Sequence, residues 1–133
     1  NNADIIIYGI GSLYTSILPN VIIPGINEAL KQSKAKKIYF ANCMTQSNET
    51  YDYDLKKHLE AFEVHNCDVD MVIMHNDIIP EEILYRYNRQ NSIEVVDNND
   101  TGLEVRRFSL LKFDNNLVRH DPVKIRQAVE NIL

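Results

Sequence analysis

The first residues that could do chemistry form a segment rich in glycine and hydroxyl groups, directly after a short apolar run. Gly9 and Gly11 would let backbone amides approach an anion closely, because glycine has no side chain to obstruct the contact. Ser12, Thr15 and Ser16 add hydroxyl donors, and the next helix would direct the positive end of its dipole to the same place. The pattern predicts a phosphate-binding loop. A structural turn, in which the hydroxyl groups only cap a helix, explains the same residues equally well.

A second polar segment, NCMTQSNET, follows the next apolar run and is dense in neutral hydrogen-bonding groups. Groups of this kind bind sugars and nucleobases. The candidate binding residues in it are Asn42, Thr45, Gln46, Asn48, Glu49 and Thr50. An ordinary polar surface loop is the alternative, although a position directly after a buried strand favours binding.

A third candidate group lies near the end of the chain. The guanidinium of Arg119 offers a planar fork that suits phosphate or carboxylate, and His120 stands beside it. Asp121 and Pro122 are predicted to be the N-cap and the first residue of the last helix.

No catalytic or metal-binding constellation stands out in the sequence. No Ser-His-Asp or Cys-His arrangement and no facing pair of carboxylates is evident. His58, His65 and His75 lack a metal-site spacing, so we expect them at the surface or partly buried. Asp68 and Asp70 precede a predicted strand, at the end opposite to the usual catalytic edge, and are interpreted as loop carboxylates.

Short apolar runs alternate with amphipathic stretches along the chain. Strands are predicted at residues 4–8, 37–41, 71–74 and 93–96, with a short edge strand at 103–108, helices at 24–32, 54–64, 80–89 and 122–133, and a loop at 114–122. This alternation predicts a three-layer Rossmann-like α/β fold, with a mostly parallel sheet and helices on both of its faces. Ligands of such sheets bind outside the carboxyl ends of the strands, where the polar segments described above should meet.

Size and composition limit the function further. A chain of 133 residues is the length of one domain, and no apolar run approaches the roughly 18 residues of a membrane span. A net charge of -5 argues against nucleic acid as the main partner. Cys43 and Cys67 lie far apart and are interpreted as reduced core thiols, which suggests a cytoplasmic protein.

The start of the chain is unusual, because it lacks an initiating Met and leads within a few residues into a strand that is apolar on both faces. Residues 5–7 are therefore expected inside a sheet. We expect this chain to be the C-terminal piece of a longer protein whose preceding residues supply neighbouring strands. An uncovered strand edge then favours a homo-oligomer or association with the missing N-terminal part.

Three motifs together resemble one family. The segment GIGSLYTSILPNVIIPGI is similar to the GPGSLYTSxxPNLLVPGI motif of the gluconeogenesis-factor (YvcK-type) proteins of the CofD-like (2-phospho-L-lactate transferase) superfamily. NCMTQSNETYDYDLKKHLEA resembles that family's NxMTQPGETxGYxxxDHxxA, and LVRHDPVKIRQAV resembles its LxRHDPxKLAxAI. IIPEEILYRY is similar to its PxEVLxRY helix. Ile10 replaces the family proline, and Ser47-Asn48 replaces Pro-Gly, so the turns there could differ.

The resemblance covers residues 3–133 and implies that they form the C-terminal part of a single CofD-like domain. It implies a cytosolic bacterial protein that binds nucleotide sugars such as UDP-N-acetylglucosamine or UDP-glucose. It also implies a part in carbon metabolism and in cell-wall or cell-shape control. The residues it places at the ligand are Gly11, Ser12, Thr15, Ser16, Asn42, Thr45, Gln46, Glu49 and Arg119.

Two functions stay open on these grounds, beside a third possibility that this chain alone binds no ligand. The resemblance favours a non-catalytic, nucleotide-sugar-binding regulatory protein. The alternative is a transferase that moves a phospholactyl-type group from a nucleotide donor to a deazaflavin, with Mg²⁺ held by carboxylates that the sequence does not identify.

Overall fold

The main sheet of the molecule has four parallel strands. The computed structural model describes residues 2–133, and Asn1 lies outside the described part. In sheet order the strands are β1 (Ile5–Tyr8), β2 (Lys36–Phe40), β3 (Met71–His75) and β4 (Glu104–Phe108). Every neighbouring pair is parallel; for example, Ile38 lies opposite Met71 and Val72 lies opposite Val105. The predicted parallel sheet is confirmed.

The helices connect these strands and cover them. They are α1 (Leu18–Val21), which continues a π-helical turn at Leu13–Ile17, α2 (Pro24–Gln32), α3 (Leu55–Val64), α4 (Glu81–Arg89) and α5 (Pro122–Ile132). Asp54 caps α3 by accepting a 2.9 Å hydrogen bond from the Lys57 amide. Asp121 caps α5 by accepting a 2.9 Å bond from the Val123 amide, which confirms the predicted N-cap.

Two hydrophobic cores lie on opposite faces of the sheet, because successive strand residues point to opposite sides. Tyr39 and Val72 pack on one face in the same core as Phe62 of α3. Ile38 and Ile73 pack on the other face in the same core as Ile83 of α4 and Ala128 of α5. The fold is therefore three-layer α/β, as the sequence predicts.

The predicted strand at residues 93–96 is wrong. Its backbone groups pair with the loop after β2: the Thr45 amide donates to the Ile93 carbonyl at 2.7 Å, and the Val95 amide donates to the Cys43 carbonyl at 2.9 Å. Glu94 forms an isolated antiparallel bridge with Met44. These contacts hold residues 93–96 outside the sheet. The fourth strand of the sheet is instead β4, which was predicted as a short edge strand.

The predicted loop at residues 114–122 is wrong for its central part. Two strands, β5 (Leu111–Asp114) and β6 (Leu117–His120), pair in antiparallel fashion as a hairpin. Asn115 and Asn116 form its turn with φ values of 51° and 60°. Asparagine tolerates this left-handed backbone conformation, which two-residue hairpin turns require.

β1 lies at an edge of the four-stranded sheet that the described residues form, and the expectation that preceding residues supply a neighbouring strand stays a prediction. Ile7 is 39% exposed there. Cys43 and Cys67 are both free and buried, which confirms the prediction of core thiols. Among residues 2–133, no helix combines the length and the apolar character that crossing a bilayer would need.

Candidate ligand-binding site

An open cleft of about 530 Å³ lies at the carboxyl edge of the sheet. Its walls come from the loop after β1, the loop after β2, helix α4 and the β5–β6 hairpin. Six of the residues predicted from the sequence line it: Gly11, Ser12, Asn42, Gln46, Arg119 and His120. Segments that are more than 100 residues apart in the chain thus meet at one sheet edge, as expected for an open parallel sheet.

Both glycines of the loop after β1 have a structural reason to be glycine. Gly9 has a φ of 117°, and a Cβ atom on it would lie 3.2 Å from the backbone oxygen of Phe40. A Cβ atom on Gly11 would lie 2.8 Å from the Cβ of Ser16. The loop therefore packs directly against the end of β2 and against its own helical turn, where any larger residue would force its neighbours to shift.

The hydroxyl groups of this loop form one cluster. The Ser12 hydroxyl is hydrogen-bonded to that of Thr15 and lies 3.5 Å from that of Ser16. Ser12 precedes the π-helical turn, but its side chain makes no capping hydrogen bond. Only Ser12 of these three lines the cleft, while Ser16 and Gly9 line an adjacent hollow of about 210 Å³.

The other predicted residues of the second polar loop do not line the cleft. Thr45 is buried, and its hydroxyl accepts a 2.9 Å hydrogen bond from the Ile93 amide. This hydrogen bond attaches residues 93–95 to the loop after β2. Glu49 belongs to the same loop, and its Oε2 atom is buried without a hydrogen-bond partner among the described residues.

The carboxylate of Asp77, just after β3, fixes the base of the hairpin. Its Oδ2 atom accepts hydrogen bonds from the amides of Leu110 and Leu111 at 2.8 and 3.0 Å, and its Oδ1 atom accepts one from the Ser109 hydroxyl at 2.6 Å. Burial alone would raise the pKa of Asp77, but these hydrogen bonds and the nearby Lys124 lower it overall. The hairpin wall of the cleft is thus attached to the carboxyl end of β3.

Lys112 and Tyr87 are among the cleft-lining residues that were not predicted from the sequence. Lys112 of β5 is the cross-strand partner of Arg119, and Tyr87 of α4 accepts a 2.9 Å hydrogen bond from the Val118 amide. Alternating polar and apolar residues around Asn115-Asn116 are the signal that could have revealed the hairpin and, with it, Lys112.

Two histidines lie near the hairpin wall, and one of them lines the cleft. Burial lowers the pKa of His120, and the neighbouring His75 lowers it further, while Asp77 acts in the opposite direction. His75 lies at the end of β3, where its Nε2 atom is 3.0 Å from Oε1 of Glu94. His120 is therefore mostly neutral near pH 7.

The expectation of surface or partly buried histidines is wrong for His58 and His75, which are 1% and 6% exposed. His58 donates from Nδ1 to the carbonyl of Asp54 at 2.8 Å, and His75 pairs with Glu94. Each buried ring is accommodated because a local partner satisfies one nitrogen.

Cys43 lines the cleft but has no nucleophilic character. Burial, followed by the charges of Glu94 and Asp77, raises the pKa of its thiol to about 12. The thiol therefore stays protonated at neutral pH, whereas the thiolate is the reactive form. Within residues 2–133, no group of three or more His, Cys, Asp or Glu side chains is arranged to hold a metal ion.

Comparisons with known proteins agree with this architecture. Residues 1–111 match the family described as 2-phospho-L-lactate transferase CofD. The gluconeogenesis factor of Bacillus subtilis is 36% identical over 98% of this chain and 43% of its own length. A putative gluconeogenesis factor of Thermotoga maritima is 39% identical over 98% of this chain and 44% of its own length. The crystal structure of a upf0052 family member from Bacillus halodurans superposes with a TM-score of 0.87 at 35% identity, covering 96% of this chain and 43% of that one.

The sheet and its cleft define an open, parallel α/β protein with a polar cleft at the carboxyl edge of its strands. The chain belongs to the CofD family, and its curated relatives are gluconeogenesis factors. It spans about two-fifths of the length of the curated relatives that it matches.

Proposed function

We propose that the cleft binds a nucleotide sugar of the UDP-N-acetylglucosamine type and that the protein is a cytoplasmic regulator of carbon metabolism and cell-wall or cell-shape control. The observation that carries this proposal is that Ser12 and Arg119, which come from opposite ends of the chain, line one cleft. A hydroxyl donor and a guanidinium facing the same space suit an anionic ligand. Asn42 and Gln46 supply the neutral hydrogen-bonding groups that a sugar or base requires.

Isothermal titration calorimetry with UDP-N-acetylglucosamine, on the protein as its gene encodes it, tests this proposal. Arg119→Ala should weaken binding by tens of fold, because a lost charged hydrogen bond costs about 1.5 to 3 kcal/mol. Arg126→Ala removes the same charge from an exposed pair with Glu130 on α5 and is the matched control. Absence of binding to the wild-type protein, or equal affinities for wild type and Arg119→Ala, would contradict the proposal.

A second candidate function is favoured by the family match itself. The matching family is described as a 2-phospho-L-lactate transferase, so an enzyme that transfers a phospholactyl group from a nucleotide-activated donor to a deazaflavin acceptor is the alternative. Incubation with a guanylylated lactate donor and the deazaflavin, followed by mass spectrometry of the acceptor, separates the two functions. Formation of the phospholactyl product would favour the transferase.

The edge position of β1 supports association through that edge. Its outer side pairs with no strand among residues 2–133, and unpaired strand edges promote pairing with further strands. A second copy of the chain, or further residues of the same protein, would satisfy these groups. Size-exclusion chromatography with light scattering, on the chain alone and on the protein as encoded, distinguishes a self-associating chain from one that needs other residues.

A further inference from the structure

The hairpin brings two cations side by side at the cleft. In the antiparallel register of β5 and β6, Lys112 lies directly opposite Arg119. Directly opposed residues of an antiparallel pair project from the same face of the sheet, with Cβ atoms roughly 4.5 to 5.5 Å apart. Both residues line the 530 Å³ cleft.

No negative charge of the described residues compensates this pair. Within residues 2–133, neither Lys112 nor Arg119 makes a salt bridge or a side-chain hydrogen bond, whereas Arg106 and Arg126 are paired with Glu104 and Glu130. Like charges directly opposite each other destabilise a sheet. Both side chains are exposed, so water screens part of this repulsion, and an anion bound between them would remove the rest.

The hairpin cannot easily move the two cations apart. Asp77 accepts hydrogen bonds from the Leu110 and Leu111 amides, and Lys124 donates a 2.6 Å bond to the Leu111 carbonyl. On the other strand, the Val118 amide is bonded to the Tyr87 hydroxyl. Because β5 is attached near its first residue and β6 is attached at Val118, the backbone positions of Lys112 and Arg119 are already set before a ligand arrives.

We propose that Lys112 binds one phosphate group of a diphosphate while Arg119 binds the other, so that the cleft selects diphosphates over monophosphates. The inference rests on the proposed function, because a nucleotide sugar carries its diphosphate between the nucleoside and the sugar. Lysine suits this role as a compact charge that needs no fixed fork geometry, and the Ser12 hydroxyl lies in the same cleft.

The test compares affinities for ligands with one and two phosphate groups on the protein as encoded. Wild type should bind UDP more tightly than UMP, and inorganic pyrophosphate more tightly than inorganic phosphate. Lys112→Gln should reduce both preferences by roughly tenfold or more while changing the UMP and phosphate affinities little. Lys112→Arg, which keeps the charge, should largely retain them. Lys34→Gln, which removes a charge from an exposed lysine that does not line the cleft, is the matched control.

Each outcome decides the inference. Unchanged diphosphate preference in Lys112→Gln, equal weakening for monophosphates and diphosphates, or absence of any pyrophosphate binding to wild type would overturn it. If pyrophosphate binds in a Lys112-dependent manner but UDP-sugars do not bind, the nucleotide-sugar proposal fails while the paired-cation site stands. Circular dichroism of each variant confirms that the comparison is made between folded proteins.

Discussion

The side-chain amide of Asn42 donates a 2.8 Å hydrogen bond to the backbone carbonyl of Gly11. The Oδ1 atom of the same side chain accepts a hydrogen bond from the hydroxyl of Tyr39, which is fully buried. One residue thus attaches the glycine-rich loop after β1 to the carboxyl end of β2. Asn42 was predicted as a ligand-binding residue, and its contacts also give it a role in holding the loop.

Asn42→Ala should lower the free energy of unfolding by about 1 to 3 kcal/mol, because it leaves the buried hydroxyl of Tyr39 without an acceptor. Tyr39→Phe removes that hydroxyl while keeping the ring. The double variant should therefore cost clearly less than the sum of the two single variants, as measured by urea unfolding. Strict additivity would show that the two side chains do not interact.

Asp77→Ala should destabilise the protein by about 3 kcal/mol, because the amides of Leu110 and Leu111 lose a charged acceptor. Hydrogen exchange of the hairpin amides should accelerate more than exchange in the main sheet. Urea unfolding and exchange mass spectrometry check both effects. Asp68→Ala changes an exposed carboxylate at the other sheet edge and should be nearly neutral. Equal exchange rates in wild type and Asp77→Ala would contradict the anchoring role.

The lowered pKa of Asp77 also predicts a pH dependence. Its contribution to stability is complete above the unfolded-state pKa of about 3.9, and it is lost as the pH falls below that value through the folded-state pKa. The difference in free energy of unfolding between wild type and Asp77→Ala should therefore shrink under acid conditions.

His58 should make the protein less stable as the pH falls from 7.5 to 5.5. Burial lowers its pKa, although the Asp54 carbonyl and charge oppose this effect. The unfolded chain then takes up a proton near pH 6.5 while the folded protein does not, so the free energy of unfolding decreases below that pH. Urea unfolding of His58→Gln should show a flatter pH profile, with His120 contributing the slope that is left.

His65→Gln, directly after the same helix, is the matched control for replacing a histidine in this part of the chain. A wild-type protein whose stability is constant between pH 7.5 and 5.5 would rule out the buried neutral state of His58.

His120 should make ligand binding tighter at lower pH. Its pKa is lowered in the free protein by burial and then by His75, and an anion in the cleft would stabilise the protonated ring. Binding would then take up a proton, so the affinity should increase from pH 7.5 to 5.5. UDP-N-acetylglucosamine is a suitable ligand, because its diphosphate is esterified at both ends and lacks the phosphate ionisation near pH 6. His120→Gln should remove the pH dependence, and an affinity that falls with decreasing pH would contradict this role.

The sequence predicts well the strands of the main sheet that are buried on both faces. Residues 38–40 and 71–74 are apolar on both faces, which only a covered parallel strand requires. Residues 93–96 are also rich in β-branched side chains, although they include Glu94, but they bind the loop around Cys43 and Thr45 instead. The pairing of residues 93–96 depends on a loop about 50 residues earlier in the chain, and local composition does not encode such a distant partner.

The candidate site was predicted in outline because strand order brings the polar loops to one edge. The positions within each loop were less predictable. Thr45 looks like a ligand-binding residue in the sequence, yet its hydroxyl holds the Ile93 amide. Lys112 was missed because its role depends on the hairpin, whose left-handed turn at Asn115 and Asn116 was interpreted as a loop.

Both walls of the cleft are attached to the two central strands: the Gly11 loop through Asn42 to β2, and the hairpin through Asp77 to β3. A ligand therefore enters the cleft without any rearrangement of the backbone. We expect the speed of capture to be set by diffusive encounter and accelerated by the two cations, so that it slows steeply as salt is added. Differences in affinity among ligands should then arise mainly from their dissociation rates.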